Sequence, residues 1–391
     1  MKMKKIIINE IFRGDRVLWL ITLFFMLLGI IFSFSALENA AYAKGRSPIE
    51  SLCIYSIGSS VLIVVSLIDY RKIMKYLFFV YPISLVLLLL IVCMRETFDY
   101  SLRWISIGSF VIQPIQLTVV SSVVFLLFLI NHFLESYFLR SFVRLFIFFS
   151  LTIGPALVLL SFTDLPSAIL LLFICLTIFY VCSVKSRYFM FIMLIYLSLF
   201  FIVAIIYVAI KVNVDFTSLR TVYEGLIEGF KDILDNNSST PIYEMAFEKG
   251  GILGVGIGQC SSNIAYYDYA FAVLIEELGI LGGTFVLLLY ICFLARLVII
   301  VNNCRNYSEA ITVVGLGLII VFQSFLHIAV SLGLIPLNGF DLPFISLVRQ
   351  FVIVNCIIVG VIINISSQVS DEINSNCKEN SVIPHNSLFK R

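Results

Sequence analysis

The sequence predicts an all-α integral membrane protein of about ten transmembrane helices, with both termini cytoplasmic. Three observations carry that reading. Of 391 residues, 61% are apolar and 13% charged, against about 45–50% and about 25% in an ordinary globular chain. Apolar stretches long enough to cross a hydrocarbon core of roughly 30 Å recur along the chain. Lys and Arg are strongly biased to alternate connections. Thirty-six Phe and eighteen Tyr exceed what a water-facing surface could carry, and the mean hydropathy is +1.07. A soluble enzyme, a disordered chain, a nucleic-acid binder and a secreted disulfide scaffold are excluded. The net charge of +2 implies no polyanionic partner.

The candidate spans run approximately 17–36, 51–68, 76–93, 115–133, 145–162, 165–183, 188–210, 269–295, 309–330 and 344–366. The first follows Lys2, Lys4, Lys5, Arg13 and Arg16 and imitates a signal peptide, with Ala41-Tyr-Ala43 as a mock cleavage site. Its apolar stretch is too long for a signal core, so it reads as an uncleaved anchor. With the N-terminus inside, the inner connections carry Arg71, Lys72, Lys75, Arg140, Arg144, Lys185, Arg187, Arg296 and Arg305. The short outer loops carry Lys44, Arg46, Arg95 and Arg103. That asymmetry sets the orientation. Residues 1–366 form the membrane domain, and 367–391 a polar, flexible cytoplasmic tail.

The long outer loop, 211–268, lies between spans seven and eight. In it Leu219, Val222, Leu226, Phe230 and Ile233 recur at helical spacing, and Thr221-Val-Tyr-Glu224 suits a capping box. Two readings stand: a helix lying on the outer leaflet, or one packed on the bundle. Asn236-Asn-Ser-Ser-Thr-Pro241 ends it. Most Cys lie in apolar runs and act as small hydrophobes; no CxxC or Cys/His cluster suggests zinc. No internal repeat supports an inverted-repeat transporter.

Polar groups in or near a membrane are functional candidates. Asp268-Tyr-Ala-Phe-Ala-Val-Leu-Ile-Glu276-Glu277-Leu-Gly279 opens the eighth span. On one continuous helix Asp268 and Glu276 would lie about 80° apart. Asp268 suits the positive end of the helix dipole, either as a base or as a simple cap. Arg103-Trp104-Ile105 through Gln113-Pro114 offers a cation for a phosphate and an aromatic that is also a common interfacial anchor. His327 reads as a satisfied bundle residue. Gly333 to Ser346 is a shaped loop, and Arg349, in the last span, needs an acidic partner or snorkels outward. Gly250-Gly-Ile-Leu-Gly254-Val-Gly256-Ile-Gly258 lacks both GxGxxG spacing and a P-loop Lys. It reads as a close-packed loop with weak phosphate potential.

Taken in order, these groups resemble the SEDS family (shape, elongation, division and sporulation) of ten-span peptidoglycan polymerases. The resemblance covers nearly the whole chain. It rests on Arg103-Trp-Ile with Gln113-Pro114, the Gly-rich loop, the Asp268 to Gly279 segment and Pro343-Phe-Ile-Ser346. Gly14-Asp15-Arg16 and Phe34-Ser-Ala36 are more similar to the division branch than to the elongation branch. The resemblance implies polymerisation of lipid II at the outer face of the cytoplasmic membrane, with Asp268 catalytic. It implies Arg103, Trp104, Gln113, Glu276, Ser346 and Arg349 as substrate-binding residues. It allows a divalent cation such as Mg or Mn. It also implies as partners a class B penicillin-binding transpeptidase and other division proteins.

The chain departs from the pattern at three places. The family's Gln-Pro-Ser-Glu-Leu-Ala-Lys reads Gln113-Pro-Ile115-Gln116-Leu-Thr118-Val119, losing a Glu and a Lys. Its Tyr-Gly-Gly-Ser-Ser reads Leu347-Val-Arg349-Gln-Phe351, and its Pro-Asp-Leu-Gly-Thr-Ala reads Thr163-Asp164-Leu-Pro166-Ser167-Ala168. Arg349 is a candidate for the missing cation. Two other functions compete. A flippase for the lipid-linked precursor draws on Glu276 and Glu277; a division scaffold draws on the lost residues.

Overall fold

A computed structural model of the chain describes residues 13–38, 48–94, 105–107, 110–133, 142–181, 242–260, 269–334, 341–345 and 349–382. The helices are α1 (Arg16–Glu38), α2 (Pro48–Leu67), α3 (Tyr70–Phe78), α4 (Val80–Met94), α5 (Pro114–Phe133), α6 (Phe142–Thr163) and α7 (Leu165–Val181). After them come α8 (Ile242–Gly250), α9 (Ala270–Asn303), α10 (Tyr307–Ser331) and α11 (Arg349–Val382). Seven helical segments among the described residues are long and apolar enough to cross a membrane, and Ile147–Thr163 and Pro166–Val181 are shorter apolar helices. This is a multi-pass membrane protein. The span expected at 188–210 and the amphipathic segment at 219–233 lie outside the described residues.

Three features differ from the sequence reading. The helical class is interrupted by a small antiparallel hairpin, β1 (Ile105–Ile107) and β2 (Phe110–Ile112), in register Ile105↔Ile112. The long loop contains the short helix α8, directly before the Gly-rich stretch. The last helix does not stop at 366 but continues through Val382, so the first part of the polar tail is helical, while the apolar span itself is Phe351–Val369.

In the described apolar helices amphipathic periodicity is weak, because lipid replaces water on the outer faces; the short α3 is the amphipathic exception, with Tyr70 and Met74 on its buried face. On α1, Leu18, Ile21 and Phe25 are buried, while Val17, Leu20, Phe24 and Leu27 are exposed. Both faces are apolar, and only packing tells them apart. The tightest helix pair is α2 against α11. A Cβ on Gly360 would stand 2.7 Å from Val65, and one on Gly58 3.3 Å from Cys356. Small residues let the backbones approach.

Polar side chains lock the end of the bundle that the charge bias assigns to the cytoplasm. Asp15 caps α1 by accepting from the Leu18 N–H at 2.9 Å, and its own N–H donates to Ser366 Oγ at 2.9 Å. Its other carboxylate oxygen accepts from the Arg296 guanidinium, with Nε at 3.1 Å. Gly14 makes the approach possible: its φ is 84°, and a Cβ there would stand 2.7 Å from the Ile363 carbonyl. Where α2 gives way to α3, Asn364 of α11 bridges the gap. It accepts from the Tyr70 N–H at 3.0 Å and donates to the Ser66 carbonyl at 2.9 Å.

Candidate functional site

The opposite end of the bundle is organised around a break in α9. At Gly279 the chain adopts φ 73°, ψ −179°, a region essentially closed to side chains. A membrane helix that breaks must have its freed backbone groups satisfied elsewhere. The Gly-rich loop 250–258 does this by backbone docking. Val255 and Gly256 donate their N–H groups to the carbonyls of Glu276 and Glu277, each at 3.0 Å. In return, the N–H of Ile280 donates to the Gly251 carbonyl at 3.0 Å and that of Leu281 to the Ile252 carbonyl at 3.3 Å. A Cβ on Gly254 would stand 2.1 Å from the Glu277 carbonyl, and one on Gly250 2.3 Å from that of Ile275. The glycines therefore serve close backbone packing, and these donors are spent inside the protein.

Just before the break two adjacent carboxylates point in different directions, as consecutive helical positions 100° apart require. Glu276, fully buried, accepts from the Cys260 thiol at 3.2 Å. Glu277 is also buried and accepts from Ser35 Oγ, in the Phe34-Ser-Ala36 stretch that ends α1. The first turn of α9 holds no acid. There the Phe271 N–H, one of the helix's orphan donors, is accepted by Nε2 of the buried His327 at 3.3 Å. His327 is thus a satisfied bundle residue that caps a neighbouring helix. Tyr269, at φ −128°, ψ 37°, lies outside the helix; the 80° relation read between Asp268 and Glu276 falls on a residue outside the described ones.

The Pro343-Phe-Ile345 turn is a buried backbone device. Phe344 has φ 66°, strained for a bulky residue. The Tyr55 hydroxyl donates to its carbonyl at 2.7 Å, and the Tyr290 hydroxyl donates to that of Pro343 at 2.6 Å. The Phe25 ring stacks on Phe344 at 5.7 Å. Gly29 admits the turn, since a Cβ there would stand 2.2 Å from the Phe344 carbonyl. Just before it, Asp341 accepts from the Gln116 amide, both side chains being buried. At the head of α7, Asp164 caps the helix through Ser167, accepting from its N–H at 3.3 Å and from its hydroxyl.

Of the residues singled out in the sequence, Asp268, Arg103, Trp104 and Ser346 lie outside the described residues. The same holds for the side chain of Arg349, whose backbone starts α11 rather than lying within a span. Gln113 is half-buried directly before α5, next to Pro114, a favoured first helical residue. Glu276 accepts from the Cys260 thiol. Sequence reasoning missed Ser35, Tyr55, Cys260 and Tyr290 as partners. For Ser35, Tyr55 and Tyr290 the available signal was a hydroxyl interrupting an otherwise apolar run; Cys260, in the polar stretch Gln259 to Asn263, gave none.

A bundle of this kind, with seven described helical segments long and apolar enough to cross a membrane and one broken helix plugged by a glycine loop, is that of a polytopic membrane protein. Residues 15–371 match the FtsW, RodA and SpoVE family, described as cell cycle proteins. The chain belongs to that family. It is 27% identical over 364 residues to stage V sporulation protein E of Bacillus subtilis (strain 168), covering 90% of this chain and 96% of the relative. It is 25% identical over 375 residues to the probable peptidoglycan glycosyltransferase FtsW of Geobacter sulfurreducens, covering 93% and 97%. Among solved structures it resembles a chain of a peptidoglycan synthase complex in which polymerization and crosslinking are coordinated. There the TM-score is 0.69 at 20% identity, over 91% of this chain and 98% of the other. It also resembles the rod shape determining protein RodA of Thermus thermophilus, with TM-score 0.62 at 19% identity over 90% and 96%.

Proposed function

We infer that this protein is a peptidoglycan glycosyltransferase of the division and sporulation type, polymerising lipid II at the outer face of the cytoplasmic membrane. The observation that carries the reading is the plugged break at Gly279. It accounts for two motifs shared with the polymerases, the Gly-rich loop and the Glu276-Glu-Leu-Gly279 run, as one structural unit beside the start of α9. In the reaction, Asp268 takes the proton from the acceptor hydroxyl as its oxygen attacks the donor's anomeric carbon. The bond to the lipid diphosphate breaks, and Arg103 stabilises the departing charge. What supports Asp268 is its place in the sequence, directly before Tyr269, ahead of a helix with no acid in its first turn. Trp104, Gln113, Glu276, Ser346 and Arg349 complete the proposed substrate contacts.

The flippase reading loses its main support, because Glu276 and Glu277 are engaged by Cys260 and Ser35 at the helix break. A divalent cation such as Mg or Mn remains part of this reading: no group of three His, Cys, Asp or Glu side chains that could hold it occurs among the described residues, and Asp268 lies outside them. The partner in this reading is a single-span class B penicillin-binding transpeptidase, with other division proteins around it. Purified protein, mixed with that partner and lipid II, should yield glycan chains resolvable on a gel. Scrambling of labelled lipid II in liposomes without any polymer would instead support the flippase.

A further inference from the structure

Gln116 stands at the start of α5, one turn into the outer end of the bundle, and is 5% exposed. Its Nε2 donates to Oδ2 of Asp341, itself 6% exposed. Its other end, Oε1, is buried without a hydrogen-bond partner. Gln116 lines a cavity of about 10 Å³ together with Ser167 of α7 and Gln323 of α10, each 3% exposed. That is close to the space one water requires, and such a site also needs two to four polar partners.

An ionised carboxylate only accepts, so Asp341 leaves the Gln116 amide no freedom to flip. The NH2 end faces Asp341, and the carbonyl end is the one left for the cavity. A buried acceptor without a donor is destabilising, so the arrangement calls for a hydrogen-bond donor there.

We propose that Asp341 and Gln116 form a positioning pair for the polymerase site, in which Asp341 fixes the amide so that Gln116 Oε1 receives one hydroxyl donor in the cavity with Ser167 and Gln323. The inference rests on the polymerase reading and deepens it. The donor group is a water or a hydroxyl of the substrate.

The test is a swap, read as polymerisation kinetics and thermal unfolding of the purified protein with its partner. In Asp341→Asn the neighbouring amide can donate as well as accept, so Gln116 is no longer held; polymerisation should fall about tenfold with thermal unfolding little changed. Gln116→Glu sets two carboxylates together and should lower both activity and stability. The double variant Gln116→Glu/Asp341→Asn restores one carboxylate facing one amide and an acceptor at the cavity, and should recover most of the activity. A loss in Asp341→Asn that appears in KM marks a substrate hydroxyl; a loss confined to kcat marks a water. Undiminished activity in Asp341→Asn, or a double variant no better than the worse single one, overturns the pairing. Should the wild type make no polymer, the polymerase reading fails on its own account. The pair is then judged by unfolding, where recovery in the double variant supports it and simple additivity contradicts it.

Discussion

The Ile252 carbonyl lies where Gly279 could not carry a side chain: a Cβ on Gly279 would stand 2.2 Å from that oxygen. The same residue holds φ 73°. Gly279→Ala therefore meets both a clash and a disallowed backbone, which costs about 1–3 kcal/mol from the strain alone. The expected outcome is a lower unfolding temperature and loss of polymerase activity. Gly154→Ala is the control, because that glycine lies in α6 with nothing within 4 Å of an added Cβ. It should leave stability unchanged or raise it by up to about 1 kcal/mol, the helix propensity gain.

Tyr290→Phe keeps the ring packed at 4.4 Å from Phe25 and removes only the hydroxyl that serves the Pro343 carbonyl. The expected loss is about 1–3 kcal/mol, the cost of an orphaned buried acceptor. Tyr55→Phe should cost a similar amount through Phe344. Thermal unfolding in detergent checks both, and equal stability of wild type and both variants would contradict the proposed anchoring of the turn.

Arg296→Ala breaks the pair with Asp15, whose side chain is 8% exposed against 28% for Arg296. Breaking a buried pair costs about 3–5 kcal/mol, and the exposure of Arg296 argues for the low end. Proteolysis at the N-terminus should accelerate, since Asp15 also caps α1 and binds Ser366.

Cys304, just past the end of α9, has its thiol pushed up to about 11 by burial first and the nearby Glu309 charge second. Both raise the cost of the thiolate, so alkylation should be slow near pH 8 and speed up as pH rises toward that value. Glu309→Gln removes the second cause and should increase the rate at a given pH. Rapid alkylation of Cys304 at pH 7 would contradict this environment.

Much of the fold was legible because span length and charge bias depend on the bilayer and not on tertiary detail. Which face of α1 is buried was not legible, since Leu18 and Leu20 are equally apolar while one meets protein and the other lipid. The hairpin was missed although Gly108-Ser109 sits between Ile105-Ser-Ile107 and Phe110-Val-Ile112, a two-residue turn between short β-prone runs. The tail was read as flexible from its polarity, yet a helix already nucleated in the membrane extends through polar residues with little added cost. At the site, the close-packed character of the Gly-rich loop was legible from its missing phosphate-motif spacing. Its docking partner was not: Gly279 lies twenty-odd residues away, and only the break in α9 brings the two together. Gln116 was marked as a lost carboxylate; its pairing with Asp341 requires the turn before α11 to fold back on α5.

The most direct test of the account is polymerisation of lipid II by Asp268→Asn protein with its partner. Asn keeps the size and is as good a helix cap as Asp, so expression, unfolding and partner binding should match the wild type. Losing general-base catalysis should lower polymerisation by about 10²-fold or more. An Asn variant that polymerises as fast as the wild type would contradict the assignment of the base.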